Sequence, residues 1–230
     1  VEGKVANLDL VYAGSYLKRD VDTESDYSDY SYWYDTLYGY GAYWYDDNGD
    51  LIDPSQYIQG KDRYNRYTHE LRVSSDADRR FRFVGGLFYQ RQEHDIQQRY
   101  KIDGLGSQLS VTGWEDTLWL TKQLRVDKDL ALFGEFTFDF TDQLSGTLGA
   151  RYFESDNSLK GFFGFNDGYV SNPAYGEGYC NSLPEPPNTF KGAPCKVFDK
   201  TTTEDGVTPR VNLTYKFTDD AMVYATYSEG

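Results

Sequence analysis

No stretch of this 230-residue chain approaches the roughly 18 consecutive apolar residues that a membrane-crossing helix needs. Methionine is nearly absent (Met222 alone), and no charged-then-apolar leader follows Val1. The expectation is a processed N-terminus or a piece of a longer polypeptide. Basic charge is scarce: 23 Lys and Arg face 37 Asp and Glu, and the resulting net charge of -14 argues against a nucleic-acid partner. Histidine is limited to His69 and His94, 25 positions apart, and no G-x-S-x-G, H-E-x-x-H or C-x-x-C pattern occurs. Catalysis therefore has little support, since plentiful carboxylates are not a geometry, and no dedicated metal or cofactor site is expected. Large rings, by contrast, are abundant: 4 Trp, 22 Tyr and 14 Phe make 17 % of a chain whose mean hydropathy is only -0.71. Disordered chains are poor in aromatics, so this polar composition belongs to a folded protein with an unusual surface.

Period-two alternation dominates. From Thr117 to Phe140, even positions are mostly apolar (Leu118, Leu120, Leu124, Leu130, Leu132, Phe136, Phe138, Phe140) and odd positions mostly polar, with no change of phase. A helix would scatter these side chains over both faces, so this is one strand. Globular strands usually run 3–10 residues, and this one would reach roughly 80 Å. The same pattern gives strands at about 5–18, 67–73, 80–92, 144–153, 210–217 and 221–227, hence about seven in all.

The connections between them alternate strictly. Long ones, at about 19–62, 93–116 and 158–206, are separated by short ones at 74–79, 141–143 and 218–220. In an up-and-down sheet, every long connection then leaves from one edge. Outer-membrane barrels are built this way, with brief periplasmic turns and extended external loops. Greek-key crossovers of a soluble sandwich would disturb the pattern. The expected fold is all-β: an antiparallel up-and-down transmembrane β-barrel segment with long extracellular loops. Only the outward face of such a wall must be apolar, which explains the low hydropathy, and the remaining strands must come from elsewhere.

The first long loop carries ten acids between Asp20 and Asp53 and no Lys, Arg or His. Ten rings crowd positions 27 to 45, among them Tyr32, Trp33, Tyr34, Tyr38, Tyr40, Tyr43, Trp44 and Tyr45. Tyr and Trp offer flat apolar faces with a polar tip, which suits stacking on sugars or flat chelates. The plainer use, and the favoured one, is rings that pack together to stiffen a tall hairpin or mark the membrane-interface girdle. Alternation with glycine from Tyr38 to Tyr45 suits an extended hairpin arm. Asp46, Asn48 and Asp50 imitate the start of an EF-type calcium loop, but Leu51 stands where glycine is needed and Tyr57 where glutamate is needed. Asn48-Gly49 is better read as a hairpin turn. In the third long loop, Cys180 and Cys195 form an even pair 15 positions apart, which suits a disulfide in an oxidising compartment.

The segments Thr68-His69-Glu70-Leu71-Arg72-Val73-Ser74 and Arg82-Phe83-Val84-Gly85-Gly86-Leu87-Phe88-Tyr89 resemble adjacent barrel strands of TonB-dependent outer-membrane receptors. So do Leu132-Phe133-Gly134-Glu135-Phe136-Thr137, Gly149-Ala150-Arg151-Tyr152 and the stretch from Thr208 to Asp220. The resemblance spans nearly all the strands but not the long loops. One departure is His69, where the family often carries Gln. The resemblance implies a barrel of about 22 strands closed by an N-terminal plug, in the outer membrane of a Gram-negative bacterium. It would import a scarce nutrient (a siderophore, a saccharide or similar) with energy delivered by TonB, and would not be an enzyme. This chain would supply about a third of that wall, without the plug or the TonB-contacting segment. Outer-membrane lipid and lipopolysaccharide are the implied neighbours, and the clustered acids of the first loop offer loose divalent bridging to them. The alternatives are a passive or structural outer-membrane barrel and a soluble secreted carbohydrate-binding β protein.

Overall fold

The computed structural model describes residues 1–38, 43–184 and 189–229. Eight strands form one antiparallel sheet: β1 (Glu2–Val5), β2 (Leu8–Asp26), β5 (Tyr57–Ser75), β6 (Phe81–Lys101), β7 (Thr117–Asp139), β8 (Leu144–Phe165), β9 (Phe198–Thr218) and β10 (Ala221–Ser228). They neighbour one another in chain order. A second, two-stranded sheet pairs β3 (Trp44–Tyr45) with β4 (Leu51–Ile52), and two helices, α1 (Ser28–Tyr38) and α2 (Gly176–Ser182), lie in connections. The up-and-down order puts the short connections (6–7, 76–80, 140–143, 219–220) at one rim and the long ones (27–56, 102–116, 166–197) at the other. That is the asymmetry the sequence implied. The sheet is open at β1 and β10, so the described chain is part of a wall.

Three expectations need correction. An additional short strand, β1, precedes the first, and Ala6 at φ 55° turns the chain between them. The strands are longer than their hydrophobic alternation: β2 continues to Asp26 and β5 starts at Tyr57, β6 continues to Lys101 and β8 to Phe165, which shortens all three long connections. The aromatic segment begins as a helix, so the extended arm is confined to β3 and β4, with residues 39–42 outside the described chain. Asp26 starts that helix by accepting the Ser28 amide at 2.9 Å. Stacked rings spaced three apart, Tyr27–Tyr30 at 5.0 Å and Tyr30–Trp33 at 6.2 Å, run along one side of it.

The register shows what each face is for. Tyr12, Leu71, Leu87, Leu132, Tyr152 and Val207 sit side by side across six strands. Nearer the short-turn rim, Phe83, Phe136, Leu148, Val211 and Tyr227 form another such row. These side chains are exposed apolar surface, Leu148 62 % and Leu132 56 %. Along β7 the band from Leu130 to Phe140 runs about 33 Å, or about 25 Å in height once tilted by about 40°. That is the thickness a barrel presents to lipid. Below the Leu130 row, no Asp, Glu, Lys or Arg of the sheet strands has outward parity, whereas Glu154 and Asp205 stand in that row at the upper edge of the band. His69, at its upper edge, shares a hydrogen bond with the Tyr12 hydroxyl at 2.7 Å.

The opposite face at the same depth is charged. Arg72 meets Glu70 at 2.8 Å, Arg210 meets Glu135 at 3.2 Å, and Arg82 engages both carboxylate oxygens of Asp139 at 2.5 and 2.7 Å. Ionised groups facing hydrocarbon are expensive, so this is the lumen side. Leu148 and Leu51 of the loop hairpin are equally exposed, at 62 % each, but only Leu148 lies in the band. Leu148→Arg should therefore destabilise the full-length protein by about 2–4 kcal/mol, whereas Leu51→Arg should stay within about 0.5 kcal/mol. Urea-driven folding into lipid vesicles reads both, and equal effects would contradict the assignment of faces.

Candidate functional site

Above the band, the three long connections interlock into a crown. The β3–β4 hairpin turns through Asp46, whose side chain accepts the amides of Asp50 at 2.9 Å and Asn48 at 2.8 Å, while Gly49 supplies the left-handed φ of 84°. The Asp50 amide first, then the Asn48 and Gly49 donors, hold the Asp46 carboxyl below the usual carboxylate range. The turn reading of Asn48-Gly49 is thus the correct one. Asp47 accepts the Ser107 amide at 2.6 Å and Tyr45 accepts that of Gly106 at 2.8 Å, joining the hairpin to the second connection. The second joins the third through the Trp114 indole to Gly192 (2.8 Å), and through Glu177 of α2, which accepts the Thr112 amide at 2.5 Å. Glu177 is buried, and Asn166 also donates to it at 3.2 Å.

Cys180 and Cys195 are bonded, with Cα atoms 5.8 Å apart, and both are buried. They pack with Val111, Ala193 and Val197 over Leu120 of β7 and Phe162 of β8. Leu120 and Phe162 have the outward parity, so the disulfide-bearing loop leans over the outer flank of the strand tops. Asp95 of β6 ties it there, accepting Lys122 at 2.8 Å and Lys191 of the loop at 2.6 Å. Helix α2 begins where Gly164 and Gly176 back onto each other; a Cβ on Gly164 would lie 2.4 Å from the Gly176 Cα.

The other face of the strand tops forms a wall free of this covering. Arg19, Tyr64, His94 and Arg125 lie in one inward row, with Arg66, Gln92 and Asp127 in the next. The Tyr64 and His94 rings stack at 3.9 Å, and the Arg19 guanidinium lies 6.0 Å from the Tyr64 centroid. Asp62 is 3.5 Å from His94 Nε2, and Asp127 accepts Arg125 Nε at 3.0 Å. The Arg66 Nε donor and the His94 Nε2 atom are buried without a hydrogen-bond partner among the described residues. Buried donors of this kind are costly unless something meets them. Chemically, the wall offers cationic and aromatic contacts to an anionic or flat solute.

The aromatic loop residues divide. Tyr32 and Trp33 on α1 are about half exposed (52 % and 51 %), as are Tyr43 (62 %) and Tyr45 (44 %). Trp44 instead packs with Ile52 against Ile102, Leu105 and Leu118, its ring 5.4 Å from Tyr169, so it serves the crown's second core. Tyr40, and the side chains of Tyr34 and Tyr38, lie outside the described residues.

A family model described as TonB dependent receptor-like, beta-barrel matches residues 4–230. The chain belongs to the TonB-dependent receptor β-barrel family. No curated protein matches. Among solved structures, the chain is similar to the ferric yersiniabactin uptake receptor FyuA from Yersinia pestis, with TM-score 0.64 and 14 % identity over 98 % of this chain. It covers 26 % of that receptor, so the chain spans about a quarter of its relative's length.

The inward rows are not among the residues that sequence reading singled out. Arg19, Arg66 and Arg125 carry no motif, and their convergence exists only once the register is known. The available signal was parity: continuing each strand's inward positions past the apolar band places all three on one face. Replacing Cys180 and Cys195 together by serine should loosen the crown by about 3 kcal/mol, the chain-entropy value for a loop of this size. Limited proteolysis should then nick 166–197 while the band stays intact; unchanged nicking would show that the packing holds the loop without the bond.

Proposed function

We propose that the chain is part of the wall of a ligand-gated outer-membrane importer, energised through TonB, that takes up a scarce small-molecule nutrient such as a siderophore or a saccharide in a Gram-negative bacterium. The observation that carries this reading is the segregation of charge at one depth: a lipid-compatible band outside and paired Arg and carboxylate groups inside. The family match adds the class of transport, and receptors of this kind are not enzymes. Ligand would be gathered at the long-loop rim by Tyr32, Trp33, Tyr43 and Tyr45 and met below by Arg19, Arg66, His94 and Arg125. Membrane lipid and lipopolysaccharide would surround the band, and TonB would be engaged by parts of the receptor outside this chain.

The test is uptake by the full-length receptor in a strain lacking its own copy, with iron chelates and oligosaccharides as sole sources. Uptake should require TonB and the proton-motive force, and Arg66→Ala or Arg125→Ala should weaken binding of the accepted solute about 10- to 100-fold, as expected for a lost hydrogen bond to a charged group. TonB-independent uptake would establish a passive pore instead.

A further inference from the structure

Helix α1 leaves the sheet on its inward side. Tyr27, the residue before it, sets the edge of its ring on Tyr100 of β6, with centroids 5.3 Å apart. Tyr100 has the inward parity of Gln92 and His94 on the same strand. A second tie lies beside it: Ser31 donates to the buried side chain of Gln56 at 3.1 Å, and the Tyr27 amide donates to the Gln56 carbonyl at 2.8 Å. From Tyr27 the rings climb the helix to Tyr30 and Trp33. From Tyr100 they continue sideways, because Trp119 of β7 stands directly opposite it in the inward row, about 5 Å away between Cβ atoms. The Trp119 indole donates to the Thr121 hydroxyl at 3.0 Å, which turns it toward the next inward residue of its strand.

The rings of Trp33, Tyr30, Tyr27, Tyr100 and Trp119 thus run without a break from the long-loop rim to the wall. Among the described residues, neither buried cluster of the crown includes any of them. Tyr30 and Trp33 are exposed, and Tyr27, Tyr100 and Trp119 keep part of their surface open. Separate ring faces in series suit a solute that repeats its own flat face, as successive bases do on the stacking platforms of single-strand binders. What lies beneath the track decides the charge of that solute. The next inward rows hold Thr121 with Gln98, then Gln123, and lower down Gln92 and Gln90. Amide and hydroxyl side chains both donate and accept, as the hydroxyls of a solute do. Arg19, Arg66 and Arg125 are matched on the same face by Asp62, Asp127 and Asp129, so the wall has no net charge to offer. Sugar rings combine both features, an apolar C–H face and a rim of hydroxyls. A compact chelate would cover only one or two of the rings and would bring charge that the wall does not answer.

We propose that Trp33, Tyr30, Tyr27, Tyr100 and Trp119 form a track on which successive sugar rings of a neutral oligosaccharide stack, while the glutamines below read its hydroxyls. The proposal rests on the importer reading above and narrows its nutrient to one chemical class.

The probe is a set of neutral and acidic oligosaccharides, from disaccharide to hexasaccharide, with ferric catecholate and hydroxamate chelates beside them, presented to the full-length receptor in detergent. A neutral oligosaccharide should bind, with affinity rising at each added sugar until the track is covered. Tyr100→Ala and Trp119→Ala should each weaken that binding about 2- to 13-fold, the contribution of one ring contact. Tyr100→Phe and Trp119→Phe keep a ring face and should bind more tightly than the alanine variants. Heat-modifiable mobility shows that each variant is folded. Failure of every sugar to bind, a ferric chelate bound more tightly than any sugar, affinity independent of chain length, or alanine variants equal to wild type would overturn the track. Uptake of the bound sugar that persists without TonB would overturn the importer reading and leave the track standing, so the two failures are distinguishable.

Discussion

Hydrocarbon cannot hydrogen-bond, and most of this molecule follows from that. Every backbone group of a crossing segment must find its partner in the neighbouring strand, and every ionised side chain must turn away from the lipid. The sheet meets both demands at once. Its strands pair for around twenty residues each, and below the Leu130 row the charges of those strands sit on one face, with Glu154 and Asp205 marking the upper edge of the outer one. Arg82 with Asp139, Arg72 with Glu70 and Arg210 with Glu135 are then partners lining an aqueous or protein-filled interior. Closure by further strands follows from the same constraint, because the free edges at β1 and β10 would otherwise expose unpaired backbone to lipid.

Past the band the rules change and so does the architecture. With water on both sides, strand tops tolerate charge on either face, and loops pack against them. The third connection leans on the outer flank through Leu120, Phe162 and the Asp95–Lys191 contact, leaving the inner flank with Arg19, Arg66, His94 and Arg125. A disulfide and a buried Glu177 bind the lobe together where a Gly- and Pro-rich segment alone would be costly to order. The crown is thus fixed to the outer flank, and the inward rows are left clear of the third connection.

How much of this was legible in the sequence depended on that same boundary. Within the band, alternation from Leu130 to Phe140 and from Leu144 to Tyr152 gave strand, phase and facing correctly, because lipid forces period two. Above it the signal disappears: the stretch from Arg91 to Lys101 is polar on both faces, so a strand there looks like loop. Helix α1 was hidden for another reason. Tyr30, Tyr32 and Tyr34 imitate a strand, while the spacing of three that links Tyr27, Tyr30 and Trp33 was the better guide. The Cys180–Cys195 pairing was readable because two cysteines leave one intramolecular choice. The convergence of Arg66 with His94 was not, since register is a property of the sheet and not of either segment.

The central claim is that even-numbered positions along β7 face lipid up to Leu130 and water beyond it. Spin labels placed singly from residue 122 to residue 140 of the full-length receptor in lipid vesicles test it directly. Accessibility to oxygen should peak at Leu130, Leu132, Phe136 and Phe138, with the polar nickel reagent favoured at odd positions and at Lys128. A profile with no two-residue period, or with equal nickel access on both faces of the band, would contradict the account.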